Sequence, residues 1–217
     1  MEIARFYVDA QRSFVALCET LSDDEWAMPV PCNPGWTVRD VLSHVVGVTD
    51  DVANGRLEGA ATDPWTDAQV ERWRDTPWRT LVTQWNEQVG GVAELLEAVR
   101  EFRPPFDCHS HEHDVRHAIN RPGNRDSELI GVIAHGFGRA SLGRPVSVEL
   151  VDADSLSLTG NGAPIVLRGL TQFELVRARL GRRSAAQVRA FDWSEQPTDE
   201  MLAAFFLFGP NQLDIIE

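Results

Sequence analysis

The chain contains no lysine. All 20 of its basic residues are arginine, set against 33 acidic ones, and the formal net charge is −13. No arginine cluster offsets that charge, which argues against nucleic acid as a partner, because affinity for a phosphate backbone comes mainly from basic side chains displacing counterions. Arginine codons are mostly GC-rich and lysine codons AT-rich, so the bias reads as a GC-rich genome rather than selection for many anion sites. Cysteine is scarce too. Cys18, Cys32 and Cys108 form neither a CxxC pair nor a disulfide framework, which fits a reducing compartment. No apolar run reaches the ~18 residues of a membrane span. The start, Met-Glu-Ile-Ala-Arg-Phe, lacks the basic region and apolar run of a secretory signal. The expectation is a cytoplasmic protein with neither nucleic-acid nor membrane partners.

What is present is ordinary for a globular chain: 217 residues, 43% of them hydrophobic. Such a chain buries a core without disulfide or metal staples, so any metal site should serve chemistry. Ile3, Phe6, Tyr7, Ala10, Phe14, Leu17, Cys18 and Leu21 recur at three-and-four spacing and predict a first helix. Thr37, with Asp40 in the capping-box position, opens a second, whose broad apolar face runs from Val38 to Val52. A third helical stretch spans about 67–100, with a break at Pro77, and Pro104-Pro105 ends it. A fourth runs from about Phe106 to Ile119, and another from about Ser127 to Leu142. Beyond Gly143-Arg-Pro145 the pattern changes to period two at 146–151, 156–158 and 165–167, with Thr159-Gly-Asn-Gly162 read as a hairpin-type turn. Helical spacing returns at 173–180 and 201–208. The fold class is therefore α+β: a four-helix bundle over 1–143, then a smaller α/β domain with an antiparallel sheet over 144–217.

Four of the six histidines crowd into Asp107-Cys-His-Ser-His-Glu-His-Asp-Val-Arg-His117. Histidine is a common metal ligand, and i,i+4 spacing stacks two side chains on one helix face. Asp107/His111, His109/His113 and His113/His117 all have that spacing. At about 100° per residue, Cys108, Val115, Ala118 and Ile119 define the inward face, and Asp107 and His111 lie within it or at its edge. His109, His113 and His117 point away and read as an exposed polar stripe. An inward aspartate and histidine face a desolvation cost that a cation relieves. A third ligand, His44, lies at the margin of the second helix's apolar face. Two histidines and one carboxylate, with open positions for water or substrate, are a catalytic rather than structural set. Zinc is the first choice, with nickel, iron(II) and manganese allowed. Cys108 could reach the same site but reads as a buried inert thiol.

The setting of these residues resembles a known family. Pro31-Cys-Asn-Pro-Gly-Trp-Thr-Val-Arg-Asp-Val-Leu-Ser-His44 is similar to the hallmark of the mycothiol-dependent maleylpyruvate isomerase-like family, DinB-like four-helix bundles found mostly in actinobacteria. The second signature, an acidic residue, three positions, a histidine and then Asp-Ile/Val-Arg, is matched along Phe106-Asp-Cys-His-Ser-His-Glu-His-Asp-Val-Arg-His-Ala-Ile-Asn-Arg-Pro-Gly123. The C-terminal part resembles the small sterol-carrier-like domain often attached to such bundles, through Phe173-Glu-Leu-Val-Arg-Ala-Arg-Leu-Gly-Arg-Arg183. The resemblance implies that His44, Asp107 and His111 hold the metal.

It also implies mycothiol as cosubstrate, its sulfur held as thiolate by the metal for attack on a small electrophile, giving S-transfer or reversible addition that isomerises a double bond. Asp114 would orient a ligand or position Arg116, unless it makes a plain helix-surface salt bridge, and Arg182 would meet a substrate carboxylate, a role that Arg183 or neither could equally fill within the same motif. Two other classes stand beside this reading. One is hydrolysis by metal-activated water, with Glu112 as the nearby base unless it pairs with Arg116 on the surface. The other is a non-enzymatic, metal-stabilised binding or regulatory module, its pocket drawn from Trp26, Trp36, Trp65, Trp73, Trp78, Trp85 and Trp193. Monomer and homodimer are equally compatible with the sequence.

Overall fold

The computed structural model describes residues 2–217. They fall into two compact units, Met1–Gly123 and Asn124–Glu217. Among the described residues no helix is long and apolar enough to cross a membrane.

Unit 1 is built on four long helices. α1 (Ile3–Cys18) buries Ile3, Phe6, Tyr7, Ala10, Phe14, Leu17 and Cys18, the stripe that the spacing predicted. A short α2 (Asp23–Trp26) is opened by a capping box between Ser22 and Glu25. The loop that follows is pinned by a bridge between Pro29 and Thr37. Thr37 and Asp40 form the predicted capping box at the start of α3 (Val38–Ala53), fixing the register in which His44 turns inward. The third stretch is two helices, α4 (Asp63–Trp73) and α5 (Trp78–Val99), separated at Pro77. Arg100 closes α5 in the left-handed conformation, φ 57°. α6 (Arg103–Ala118) starts earlier than Phe106, with Pro104 and Pro105 in its first turn rather than before it. That position has no intrahelical acceptor for an N–H, so proline loses nothing there. α1, α3, α5 and α6 pack on one another, with Phe14 edge-on to the fully buried Trp85 at 5.9 Å.

Unit 2 begins earlier than the break expected after residue 143. Its first helix, α7 (Glu128–Gly136), continues into a 3-10 turn at Phe137–Arg139 and packs against α8 (Gln172–Arg179). A helix expected to lead out of the bundle thus belongs with the sheet. The strands β1 (Val146–Leu150), β2 (Leu156–Leu158), β3 (Ile165–Leu170) and β4 (Asp192–Trp193) lie in the order β2-β1-β3-β4. β1–β2 and β3–β4 are antiparallel, whereas β1 and β3 run parallel. The sheet is mostly antiparallel, and Thr159–Gly162 is not a hairpin turn, because β2 and β3 flank β1 instead of pairing. α9 (Ala185–Arg189) and α10 (Asp199–Phe205) complete the unit.

Candidate metal centre

α3 brings His44, and the second and third turns of α6 bring Asp107 and His111, to one place. The ligand atoms of these three residues lie within 4.8 Å of one another. His44 Nε2 is 3.2 Å from Asp107 Oδ2, and His111 Nε2 is 3.4 Å from Asp107 Oδ1. Tetrahedral nitrogen and oxygen ligands about 2.0–2.1 Å from an ion stand about 3.4 Å apart, close to the two histidine–aspartate distances here, so the group could hold a metal ion. Both imidazoles are buried, their rings edge to face at 4.9 Å, and Asp107 is half-buried.

The other ring nitrogens also have close polar neighbours. His44 Nδ1 is 2.8 Å from Gln69 Oε1, and His111 Nδ1 is 3.0 Å from Asp114 Oδ2. Asp114, expected to orient a ligand or position Arg116, is fully buried beside His111. Trp36, from the loop before α3, lies against both histidines, its ring centre 5.1 Å from that of His44 and 6.1 Å from that of His111. It also lines a cavity of about 550 Å³ with Gly35, Asp40, Asp67, Glu71 and Arg74.

Electrostatics follow from this packing. Burial alone would raise the Asp107 carboxyl, but His44 and His111 overcome it and hold the group well below the usual carboxylate range. Burial alone would lower His111, yet Asp107 and Asp114 push it up to about 9. The Cys108 thiol is buried and raised well above its ordinary value, first by burial and then by Glu112 and Asp107, consistent with an inert thiol.

Two expectations about α6 need correction. His109 and His113 are not an exposed stripe: each is only 3% exposed, and their rings lie 4.6 Å apart, tilted by 32°. α6 is enclosed on more than one side by α1 and α3, so the apolar face alone understates what is buried. Likewise Glu112 does pair with Arg116, at 2.7 Å, but inside the unit, where Ser13 Oγ also donates to it at 2.8 Å. Among the tryptophans, Trp36 reaches the centre, whereas Trp26 stacks on Trp78 at 5.2 Å and Trp85 fills the core. Arg182 belongs to unit 2, just past α8, where its guanidinium donates to the Leu180 carbonyl at 2.7 Å. Gln69 escaped the sequence reading altogether, since a lone glutamine on a polar helix carries no signal of burial.

No curated protein matches the chain. The crystal structure of the mycothiol-dependent maleylpyruvate isomerase superposes with a TM-score of 0.57 at 12% identity, covering 92% of this chain and 94% of that one. The crystal structure of a point mutant of that enzyme gives 0.54 at 10% identity with the same coverage. At such identities the likeness shows the fold. The family model described as the mycothiol maleylpyruvate isomerase N-terminal domain matches residues 7–118, a span that holds His44, Asp107 and His111. The chain belongs to the mycothiol maleylpyruvate isomerase family.

Proposed function

We propose that the chain is a cytoplasmic, metal-dependent enzyme that activates mycothiol for attack on a small electrophilic substrate, which is thereby isomerised or acquires the whole thiol. One observation carries the reading: both imidazoles turn Nε2 toward Asp107, while Gln69 Oε1 is hydrogen-bonded to Nδ1 of His44 and the Asp114 carboxylate lies 3.0 Å from Nδ1 of His111. Histidines that ligate metals are typically oriented in this way by partners on the second nitrogen. In this reading His44, Asp107 and His111 hold one divalent cation, zinc by the donor set, and three protein ligands leave a position for an exogenous one. When bound, the cation supplies Lewis acidity that keeps a ligated thiol deprotonated near neutral pH.

The chain's own residues do the rest. Asp107 stays ionised and lowers the net charge of the centre. The Asp114 carboxylate beside Nδ1 favours the ring orientation in which Nε2 of His111 faces Asp107, and Trp36 packs against both rings. For isomerisation the thiol sulfur adds to one carbon of an alkene conjugated with a carbonyl. The former double bond then turns, and the same sulfur leaves with its electron pair. Nothing is consumed, so the thiol acts catalytically; in transfer, the carbon–sulfur bond is retained and the neighbouring carbon takes up the proton that the thiol gave up. Hydrolysis is the weaker reading, because its expected base, Glu112, is already engaged by Ser13 and Arg116.

The test is turnover of a cis-configured conjugated diacid by zinc-loaded protein, with and without mycothiol, beside His44→Ala. Turnover that needs both the thiol and His44 supports the proposal. Equal turnover without thiol, or full activity in His44→Ala, overturns it.

A further inference from the structure

We propose that Gln69 is a positioning residue that selects which nitrogen of His44 faces the metal centre, and that Asp51 in turn sets the orientation of Gln69. The inference rests on the metal reading above and deepens it.

Gln69, on α4, is fully buried. A buried primary amide needs partners for both ends, and oxygen and nitrogen can exchange places with no change of shape. Shape therefore cannot decide which end meets His44, but charge can. Gln69 Nε2 is 2.8 Å from Asp51 Oδ2, and Asp51 is itself 1% exposed. Arg56 Nε and Arg72 Nη1 donate to its other oxygen at 2.8 and 2.7 Å. Burial opposes ionisation of Asp51, but the hydrogen bonds from Gln69, Arg72 and Arg56 prevail and keep the carboxyl below its ordinary range.

An ionised carboxylate only accepts hydrogen bonds. Gln69 must therefore present its NH2 to Asp51, which leaves its oxygen for His44, 2.8 Å from Nδ1. That oxygen only accepts as well, so Nδ1 of His44 carries the hydrogen and Nε2 keeps the lone pair that a cation requires. Two guanidinium groups thus dictate, through a carboxylate and an amide, the tautomer of an imidazole. The backbone is shaped for this relay. His44, Gly47 and Asp51 line one face of α3, at i, i+3 and i+7. A Cβ added at Gly47 would lie 2.5 Å from Gln69 Cβ, so only glycine lets α4 lay Gln69 along that face.

The experiment measures zinc affinity at fixed pH by chelator competition for wild type, His44→Ala, Gln69→Leu and Gln69→Glu, with helical circular dichroism confirming the fold. Gln69→Leu removes the acceptor and should bind roughly 10–100-fold more weakly. Gln69→Glu, as the neutral acid, still donates to Asp51 and accepts from His44, so it should stay close to wild type. A purely packing role predicts the reverse order, since leucine fills a buried space and glutamate meets Asp51. Nitrogen-15 spectra of zinc-loaded wild type should show the His44 hydrogen on Nδ1, and this reading does not depend on how the variants fold. A hydrogen on Nε2 overturns the relay, as does a folded Gln69→Leu with wild-type affinity. If that occurs while His44→Ala has lost zinc, the metal centre stands and the relay alone falls. If wild type binds no zinc, both fall.

Discussion

His111 answers to two opposing demands. In the metal-free protein Asp107 and Asp114 favour its charged form and push it up to about 9 from an ordinary 6.5, whereas a cation needs the ring nitrogen unprotonated. A raised folded-state value stabilises the fold fully below pH 6.5, and that stability is lost as pH climbs through about 9. The thermal midpoint of metal-free protein should therefore fall across this window, while zinc affinity rises across it. Thermal scans with and without chelator-buffered zinc at both ends would read this as a larger metal-induced shift at the upper pH. An equal shift at both would show that His111 does not release a proton on binding. Asp107→Asn should remove most of the dependence, because the largest charge raising His111 is gone. That His44, Asp107 and His111 come together was legible in the sequence because Asp107 and His111 share the inward direction of α6 and Thr37 sets the register of His44. Burial of His109 and His113 was not, because a face defined by apolar residues is blind to two histidines covered by each other and by neighbouring helices.

At the scale of elements, the sequence disclosed helices through periodicity and caps but said little about which helix touches which. Pro104 and Pro105 illustrate the limit: proline both stops one helix and suits the first turn of the next, and only packing shows that α6 takes them in. The α3–α4 contact is another case, since nothing in the local pattern of Gly47 announces that Gln69 will cross it. Gly47→Ala should cost about 1–3 kcal/mol through overpacking, and should weaken zinc binding although no ligand is touched. Gly90→Ala in α5 is the contrast. That position is exposed and helical, with open space around the added methyl, so stability should rise by roughly 0.5–1 kcal/mol with zinc affinity unchanged. Denaturant titration and chelator competition on the two variants together check the pair. Equal stabilities would mean that the close approach of α4 to α3 is not real. The sheet shows the same limit, because alternation located β1, β2 and β3 but could not reveal that β1 is central and parallel to β3.

For the whole molecule, every residue assigned to the metal centre and its supports lies in unit 1, so unit 2 can be perturbed separately. Its polar interior offers the means. Arg177 and Arg183 are 1% and 4% exposed, and both are held by the Glu217 carboxylate, with Arg183 also bonded to Glu174 at 2.7 Å. Removing one partner of a buried ion pair leaves an uncompensated charge, at a cost of about 3–5 kcal/mol. Glu217→Ala should therefore destabilise unit 2 by that order, and Glu217→Gln by less, since the amide still accepts from one guanidinium. Peptide-resolved amide exchange is the suitable probe: α8 and its neighbours should lose protection while α3 and α6 keep theirs. Zinc affinity should stay at the wild-type value. Faster exchange throughout both units would show that they unfold as one, whereas unchanged exchange in α8 would show that Glu217 contributes nothing to holding the two arginines inside.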